Sequence, residues 1–336
     1  TSGEAETKFR YENTTITSGY RLNAGLGVEY ANYTNSTFRK SFVGGQPLTI
    51  DYSSELNFFQ WNLFGQVSKS YFENKLSLSL GIRADANNYS KSMNNLIDQA
   101  SPRFSLSYQF TPKWSFNFNT GRYYQLPPYT TLGFSNQQGE LINKQNGLKY
   151  ISADHLVGGF QFLPNNKSKI SIEGFYKNYN DYPFSLEDSI SIANKGTDFG
   201  SYGDEEVKSV AEGRAYGLEL LVRHQDFFGA NVILSYTYVR SEFRELNNQL
   251  ELTENYIPSS WDNRHLLNLT TTREFKNNWQ LGLKWRFVGG APYTPLDRQK
   301  SEQIFAWNAR GRAYPDYELL NSGRLNPFHQ LDLRID

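Results

Sequence analysis

The residues of this sequence best suited to proton transfer or metal binding are its four histidines. They are His155, His224, His265 and His329. None lies close in the sequence to another histidine, and the chain has no cysteine. Ser259 and Ser260 shortly precede His265, but a hydrolytic Ser–His pair also needs an orienting third group, which the sequence does not identify. We therefore predict no catalytic residue and no metal site. The histidines are interpreted as hydrogen-bonding residues, with an iron or haem ligand on a loop as the alternative.

A short acidic segment suggests a second kind of chemistry, the binding of Ca²⁺ through carboxylate oxygens. Four carboxylates fall within residues 198–206, namely Asp198, Asp204, Glu205 and Glu206. Their spacing does not match that of an EF-hand loop. A solvated loop tip is the other interpretation, and the sequence leaves both open.

Arginines and aromatic residues are interleaved through residues 290–327. Arginine suits carboxylate and phosphate groups, and aromatic rings stack on cations and planar ligands. The segment therefore predicts an anionic or aromatic ligand; the alternatives are that it folds only on itself or that it contacts lipopolysaccharide. Aromatic and amide residues near 123–138 would instead suit a sugar or a peptide. The candidate ligand-binding residues are Tyr123, Tyr124, Asn136, Gln137, Tyr202, Arg298, Trp307, Arg310 and Arg312.

The composition excludes several classes of protein. The 34 Lys and Arg residues balance 34 Asp and Glu residues, whereas nucleic-acid-binding domains carry a basic surplus. The absence of cysteine excludes disulfides, thiolate zinc sites and iron–sulfur clusters. The mean hydropathy is −0.63, and no apolar run approaches the ~18 residues of a membrane-spanning helix.

The candidate residues lie in or between segments in which apolar and polar residues alternate. From Tyr20 to Tyr30 the even positions are apolar, and the odd positions are polar or glycine. Such alternation is typical of a β-strand whose two faces meet different environments. The same criterion predicts about thirteen strands. They lie near residues 8–16, 19–30, 57–70, 76–89, 102–110, 114–124, 154–163, 168–179, 214–225, 230–241, 263–275, 279–289 and 328–336.

The connections between these strands are alternately short and long. Tight turns are predicted near residues 16–19, 72–75, 111–113, 164–167, 226–229 and 276–278. Long loops are predicted at residues 31–56, 90–101, 125–153, 180–213, 242–262 and 290–327. This alternation is typical of an antiparallel up-and-down β-barrel in an outer membrane, where the periplasmic turns are short and the extracellular loops are long.

Aromatic residues at both ends of the strands support a transmembrane β-barrel over a soluble all-β protein. Phe72 and Trp114 lie beside short turns, and Tyr30 and Tyr89 lie toward long loops. Aromatic rings are enriched at both membrane interfaces. The apolar face of the strands would then contact lipid, and the polar face would line the lumen. The predicted lumen-facing residues, which would meet a plug, are Arg83, Asp85, Arg103, Glu219, Arg223, Lys284 and Arg286.

Six stretches carry a resemblance to a known family. They are SPRFSL (101–106), RYYQLPP (122–128), GFYKNY (174–179), GRAYGLE (213–219), IPSSWDNRH (257–265) and GGAPYTP (289–295). In this order and spacing, the chain resembles the C-terminal part of the β-barrel of TonB-dependent outer-membrane receptors of the Bacteroidetes type. That resemblance implies a barrel of about 22 strands with an N-terminal plug inside it and a TonB box before the plug. It also implies uptake of a scarce nutrient, driven by the inner-membrane proton-motive force through TonB.

On this resemblance, we expect residues 1–336 to form one partial β-barrel domain, without the plug domain and without the closing strand. The expected location is the bacterial outer membrane, and no cofactor is expected. The expected partners are outer-membrane lipid and lipopolysaccharide, and the TonB complex through the missing N-terminal region. A surface lipoprotein is a further candidate partner, and nucleic acid is not expected.

The ligand stays open among ferric siderophore, haem, cobalamin, peptide and oligosaccharide. The alternative function is that of a passive outer-membrane pore or surface adhesin without energy coupling.

Overall fold

Long antiparallel β-strands make up most of the chain. The computed structural model describes residues 2–43, 46–195, 203–247 and 249–336. The strands are β1 (Ser2–Thr17), β2 (Tyr20–Val43), β3 (Gln46–Tyr71), β4 (Leu76–Asn87), β5 (Ala100–Thr111), β6 (Trp114–Gln125), β7 (Ile151–Asn165), β8 (Ser168–Ser185), β9 (Ile190–Ser191), β10 (Val207–Phe227), β11 (Ala230–Leu246), β12 (Leu252–Pro258), β13 (Arg264–Glu274), β14 (Gln280–Val288), β15 (Pro292–Tyr293), β16 (Leu296–Asp297), β17 (Tyr314–Pro315), β18 (Gly323–Arg324) and β19 (Phe328–Ile335).

The helical segments are short. They are α1 (Tyr129–Leu132), α2 (Ile142–Gln145), α3 (Arg298–Ser301) and α4 (Ile304–Arg310), with 3₁₀ turns at Lys91–Met93, Ile192–Asn194, Lys276–Asn278 and Tyr317–Leu319. Within the described residues, no helix is both long enough and apolar enough to cross a membrane.

Thirteen strands of the described chain form one continuous antiparallel sheet, which confirms the predicted strand number. The spatial order is β1-β2-β3-β4-β5-β6-β7-β8-β10-β11-β13-β14-β19, so consecutive long strands are always neighbours. β9 pairs only with β8, and β12 pairs only with β11. This is up-and-down topology, and the sheet is not closed, since β1 and β19 stand at opposite ends of the path.

The short connections lie where the sequence predicts them. Ser18 and Gly19, between paired residues Thr17 and Tyr20, both have positive φ, at 49° and 77°. Phe228 and Gly229 repeat this arrangement, at 50° and 80°. Two consecutive residues with positive φ are characteristic of a type I′ turn, whose twist matches that of the flanking strands. We call this edge of the sheet the turn end, and the opposite edge the loop end.

The strand register separates a polar face from an apolar face. Ser68, Ser79, Ser105 and Asn119 are successive partners across four strands and therefore share one face. Leu78, Leu106 and Phe118 are successive partners on the other face. The side-chain period of two thus gives one surface suited to water and one suited to lipid.

The predicted long loop at residues 31–56 is wrong. Residues 31–43 and 46–56 continue β2 and β3, and their register runs without a shift from Tyr20 and Lys69 to Val43 and Gln46. The polar face becomes buried here, because Ala31, Tyr33 and Leu56 point inward under folded loops. The rule that one face of the strand is polar and the other apolar therefore holds only as far as residue 30, although the strand continues beyond it.

The remaining long loops form a folded layer over the polar face at the loop end. We use the term loop layer for the described residues of segments 88–99, 126–150, 186–206, 247–263 and 289–327. Its apolar core joins Leu132, Leu148 and Ile192 to strand residues such as Tyr33 and Phe58. These apolar side chains are buried against one another, whereas in free loops they would be exposed to water.

Candidate functional site

Four residues on the polar face form a cluster of positive charge and aromatic rings below the loop layer. The guanidinium carbon of Arg103 lies 4.4 Å from the ring centroid of Tyr123. The ring of Tyr123 lies 4.5 Å from that of His155, with 34° between their planes. Lys177 is the register partner of His155 on β8. We call Arg103, Tyr123, His155 and Lys177 the cationic cluster.

Strand pairing explains why these four residues meet. Arg103 pairs with Gly121 on β6, and Gly121 pairs with His155 on β7. Gly121 leaves room for the long arginine side chain, since a Cβ there would lie 3.1 Å from Cγ of Arg103. The arginine side chain can therefore lie across Gly121 and stack on Tyr123, which is two residues further along β6 on the same face.

The cluster carries positive charge that nearby carboxylates do not neutralise. Among the described residues, neither Arg103 nor Lys177 has a carboxylate oxygen within 4.0 Å. Arg83, on the same face of β4, is instead neutralised by Asp85, which accepts bonds of 2.6 to 3.0 Å from its guanidinium group. Uncompensated cations beside a ring suit an anionic or aromatic ligand, because arginine forms forked bonds to carboxylate and phosphate.

The other predicted lumen-facing residues also lie on the polar face, but away from the cationic cluster. Glu219 pairs with Glu173 and Thr237, and Arg223 pairs with Lys169, in the middle and turn end of β10. Lys284 pairs with Asp332, and Arg286 pairs with Gln330, across β14 and β19. Their contact with a plug stays a prediction.

The predicted ligand-binding residues of segment 123–138 separate into different environments. Tyr123 belongs to the cationic cluster, whereas Tyr124 packs against the apolar core of the loop layer. Asn136 holds its own turn, since its Oδ1 accepts bonds from the backbone N–H groups of Gln138 and Glu140. Gln137 is exposed beside that turn.

The predicted residues of segment 290–327 lie at the surface of the loop layer. Arg298 in α3 and Arg312 are exposed, and so is Trp307 in α4. Arg310 is the last residue of α4, and its side chain lies outside the described part of the structure. Part of the segment folds on itself, because the Tyr314 hydroxyl donates to the carbonyl of Ala306 at 3.0 Å. Ligand contact by these residues stays a prediction.

The acidic segment is only partly described, since residues 198–202, including Asp198 and Tyr202, lie outside the described residues. Asp204 and Glu205 are buried rather than solvated. The ammonium group of Lys195 lies 2.6 Å from Oε1 of Glu205 and 2.6 Å from Asp188. Among the residues that the structure describes, no group of three or more His, Cys, Asp or Glu side chains is arranged to hold a metal ion.

The structure does not bring His265 together with either nearby serine. The Nδ1 atom of His265 lies 2.8 Å from the Tyr236 hydroxyl. Ser259 is fully buried and donates to the Ser241 hydroxyl at 2.8 Å. His155, by contrast, joins the cationic cluster, a role that sequence spacing did not reveal because its partners come from three other strands.

Asn143 joins two segments of the loop layer and was not recognised from the sequence. Its fully buried side-chain amide donates to the carbonyls of Thr131 at 2.7 Å and Glu205 at 2.9 Å. Its Oδ1 accepts from the backbone N–H of Val207 at 2.9 Å. The side chain therefore uses both of its N–H donors and one of its two oxygen lone pairs to join segments 126–150 and 203–207.

Asp262 forms a second junction, in which charge is buried. Its side chain is inaccessible to solvent and accepts a hydrogen bond from the backbone N–H of Ser241 at 2.9 Å. Arg324 forms an ion pair with it from segment 289–327, and Arg240 approaches it from β11 at 3.3 Å. This aspartate belongs to the IPSSWDNRH stretch, so that stretch fastens a loop to the barrel wall.

Tyr89 and Tyr129, which both belong to the loop layer, have pKa values above the ordinary range. Burial raises the pKa of Tyr89, whose hydroxyl donates to the carbonyl of Leu132 at 2.8 Å. Burial, and then a hydrogen bond to the carboxylate of Glu6, raises the pKa of Tyr129 in α1. Both phenols therefore stay neutral well above the pH at which a solvated tyrosine ionises.

Comparisons with known proteins agree on the architecture. The family model described as TonB dependent receptor-like, beta-barrel, matches residues 1–336. The siderophore receptor PirA from Acinetobacter baumannii superposes with a TM-score of 0.65 at 13% identity, covering 99% of this chain and 48% of its own. The copper transporter OprC gives 0.62 at 15% identity, covering 99% and 48%. The FrpB iron transporter from Neisseria meningitidis gives 0.62 at 13%, covering 99% and 47%.

These likenesses are to the fold, because the sequences have diverged widely. The chain spans about half the length of the solved structures that it matches. No protein of curated function matches it in sequence. The comparisons leave the Bacteroidetes type a prediction.

Proposed function

Because the chain belongs to the family of TonB-dependent receptor β-barrels, we propose that it forms wall and extracellular loops of a receptor that imports a scarce anionic metal chelate. Proteins of this family are outer-membrane transporters rather than enzymes, and they interact with TonB. The polar face is then the lumen, and the loop end faces the cell exterior. The ligand is captured at the loop end and passes along the lumen in a step energised through TonB.

The observation that carries this proposal is the uncompensated positive charge of Arg103 and Lys177 beside Tyr123 and His155. Of the ligand classes that the sequence leaves open, a ferric siderophore or another carboxylate- or phenolate-rich chelate matches this charge. Oligosaccharides and neutral peptides carry no net charge, so their binding does not require this positive charge. Solved proteins of the same fold are named as siderophore, iron and copper receptors or transporters, which supports the same class.

The position of the cluster supports a role in transport as well as in binding. It lies on the lumen side, beneath the loop layer that covers the barrel mouth. Arg103 is exposed and Tyr123, His155 and Lys177 are only partly buried, so a ligand that enters from the loop end can reach all four residues.

Equilibrium binding to the purified full-length receptor tests this proposal. Ferric citrate, ferric enterobactin, haemin, cyanocobalamin and maltohexaose serve as probes, with tryptophan fluorescence as the signal. We expect one of the two ferric chelates to bind, and the Arg103→Gln/Lys177→Gln variant to lose at least ~100-fold in affinity, since each charge-assisted bond is worth roughly 1.5–3 kcal/mol.

Arg286→Gln is the matched control, because Arg286 lies on the same face of β14 but away from the cluster. Its affinity should equal that of the unsubstituted receptor. Binding of the oligosaccharide alone, or equal affinities for the control and double variants, would contradict the assignment of ligand class.

A further inference from the structure

His155 lies between the two uncompensated cations of the cationic cluster. Arg103 pairs with Gly121, and Gly121 pairs with His155. His155 pairs in turn with Lys177, so the four residues form one row across β5, β6, β7 and β8. At about 4.8 Å between neighbouring strands, the backbone positions of Arg103 and Lys177 are ~14 Å apart. Because Gly121 adds no side chain to this row, an anion that contacts both cations lies over the ring of His155.

The ring nitrogens of His155 are available to a ligand. Among the residues that the structure describes, they have no hydrogen-bond partner, and no carboxylate oxygen lies within 4.0 Å of them. His265 differs, because its Nδ1 atom lies 2.8 Å from the Tyr236 hydroxyl. The half-buried ring of His155 is positioned instead by its contact with the ring of Tyr123 at 4.5 Å.

The charges nearest to the imidazole of His155 are positive. The charged and titratable groups that face it or adjoin it are Arg103, Tyr123, Lys177 and Asp154. The side chain of Asp154 lies on the opposite face of β7, where it forms an ion pair with Arg122 at 2.7 Å. Its negative charge is therefore already compensated, and the lumen side of the row carries cations only.

Histidine titrates near neutral pH, and its two protonation states offer a ligand different hydrogen bonds. A neutral imidazole presents one N–H donor and one lone pair, whereas an imidazolium presents two donors and a positive charge. A carboxylate or phenolate placed between Arg103 and Lys177 accepts hydrogen bonds and brings negative charge to the ring, so it favours the imidazolium. A neutral sugar or peptide brings no such charge.

We propose that His155 takes up a proton from solvent when an anionic ligand bridges Arg103 and Lys177, and that the imidazolium then donates a charge-assisted hydrogen bond to this ligand. This role rests on the proposed function and deepens it, because it makes His155 a specificity residue for ligands with two or more anionic oxygens. The bound state holds the proton more tightly than the free state. The added affinity is therefore present at acidic pH and is lost as the pH rises through the range in which the bound imidazolium deprotonates.

Isothermal titration calorimetry of the full-length receptor with benzene-1,3,5-tricarboxylate tests the proton uptake. Carboxyl groups titrate near pH ~4, so this probe stays ionised at pH ~6.5. Titrations at pH ~6.5 in buffers of different ionisation enthalpy should show uptake of about half a proton for each bound probe. Between pH ~5.5 and pH ~8 the affinity should fall at least about tenfold, which corresponds to one charge-assisted hydrogen bond.

Two substitutions of His155 separate its charge from its shape. His155→Gln should abolish both the proton uptake and the pH dependence, and at pH ~8 it should bind like the unsubstituted receptor. His155→Lys keeps a positive charge throughout this range, so at pH ~8 it should bind about as tightly as the unsubstituted receptor does at pH ~5.5. His224→Gln is the matched control, because His224 lies on the apolar face of β10 beside Ser168, and it should keep the full proton uptake.

Binding without proton uptake, or equal uptake in His155→Gln and the unsubstituted receptor, would overturn the role of His155 and leave the proposed ligand class standing. If the tricarboxylate failed to bind at both pH values, no such anion would bridge the two cations, and the role of His155 would again be overturned. The titrations with ferric chelates decide the proposed function separately.

Discussion

Replacing Asn143 by alanine should release the loop layer while leaving the barrel wall folded. The substitution removes two hydrogen bonds to the carbonyls of Thr131 and Glu205 and one from the N–H of Val207. Each bond contributes about 1 kcal/mol net, and burying an unpaired group costs about 1–3 kcal/mol. We expect a loss of about 3–5 kcal/mol in the free energy of local opening, after partial rehydration of the released carbonyls.

Amide hydrogen exchange measured by mass spectrometry reports this local opening directly. A loss of 3 kcal/mol corresponds to exchange about two orders of magnitude faster at residues 131–148 and 203–207. Strands β13 and β14, which share no contact with Asn143, should exchange at the original rate. Asn146→Ala is a graded control, because Asn146 is only half-buried and its bonds to Glu206 and Val207 are longer, at 3.1 and 3.2 Å.

Two results would contradict the role of Asn143 in closing the loop layer. If Asn143→Ala and Asn146→Ala accelerated exchange equally, the buried bonds would not control the opening. If β13 and β14 opened together with the loop layer, the layer would not be a separate cooperative unit.

Three further predictions concern other parts of the fold. Asp262→Asn removes the buried counter-charge of Arg240 and Arg324 and should lower the stability of this junction by roughly 3–5 kcal/mol. Segment 289–327 should then be cleaved faster in limited proteolysis, and an unchanged cleavage rate would contradict this. Gly19→Ala should cost about 1–2 kcal/mol in urea unfolding, because residue 19 has φ of 77° although nothing blocks a Cβ; a neutral result would mean that the turn rearranges. The pKa of Tyr129 is raised in the folded protein, so above pH ~10 the tyrosine ionises when the loop layer opens but not while it is closed. The free energy of local opening should therefore fall as the pH rises. Tyr129→Phe should flatten this dependence in hydrogen-exchange measurements, and an unaltered dependence would exclude Tyr129 as its source.

The parts of the fold that the sequence predicted are those with a constant environment on each face. Between Tyr20 and Tyr30 one face meets lipid and the other meets water, so alternation identifies the strand and its faces. Beyond residue 30 the inward face is buried by loops, and Tyr33 and Leu56 become core residues on the otherwise polar side. Beyond residue 30 the alternation no longer separates a lipid-facing side from a water-facing side, so it predicts a loop where the strand continues.

The candidate site was predicted only in its separate parts. Arg103 was assigned to the lumen and Tyr123 to the ligand, but only the register of β5, β6 and β7 shows that they stack together with His155. Asn143 and Val207 are likewise 64 residues apart. Contacts of this kind arise from the pairing of distant strands, and no local spacing in the sequence encodes them.

Uptake of radiolabelled ferric chelate by intact cells distinguishes transport energised through TonB from passive entry. Cells would carry the full-length receptor, with and without a functional TonB complex, in a host that lacks other receptors for the chelate. We expect uptake that requires TonB and falls at least ~10-fold in the Arg103→Gln/Lys177→Gln variant but not in Arg286→Gln. Equal uptake without TonB would contradict energised transport and would identify a passive pore.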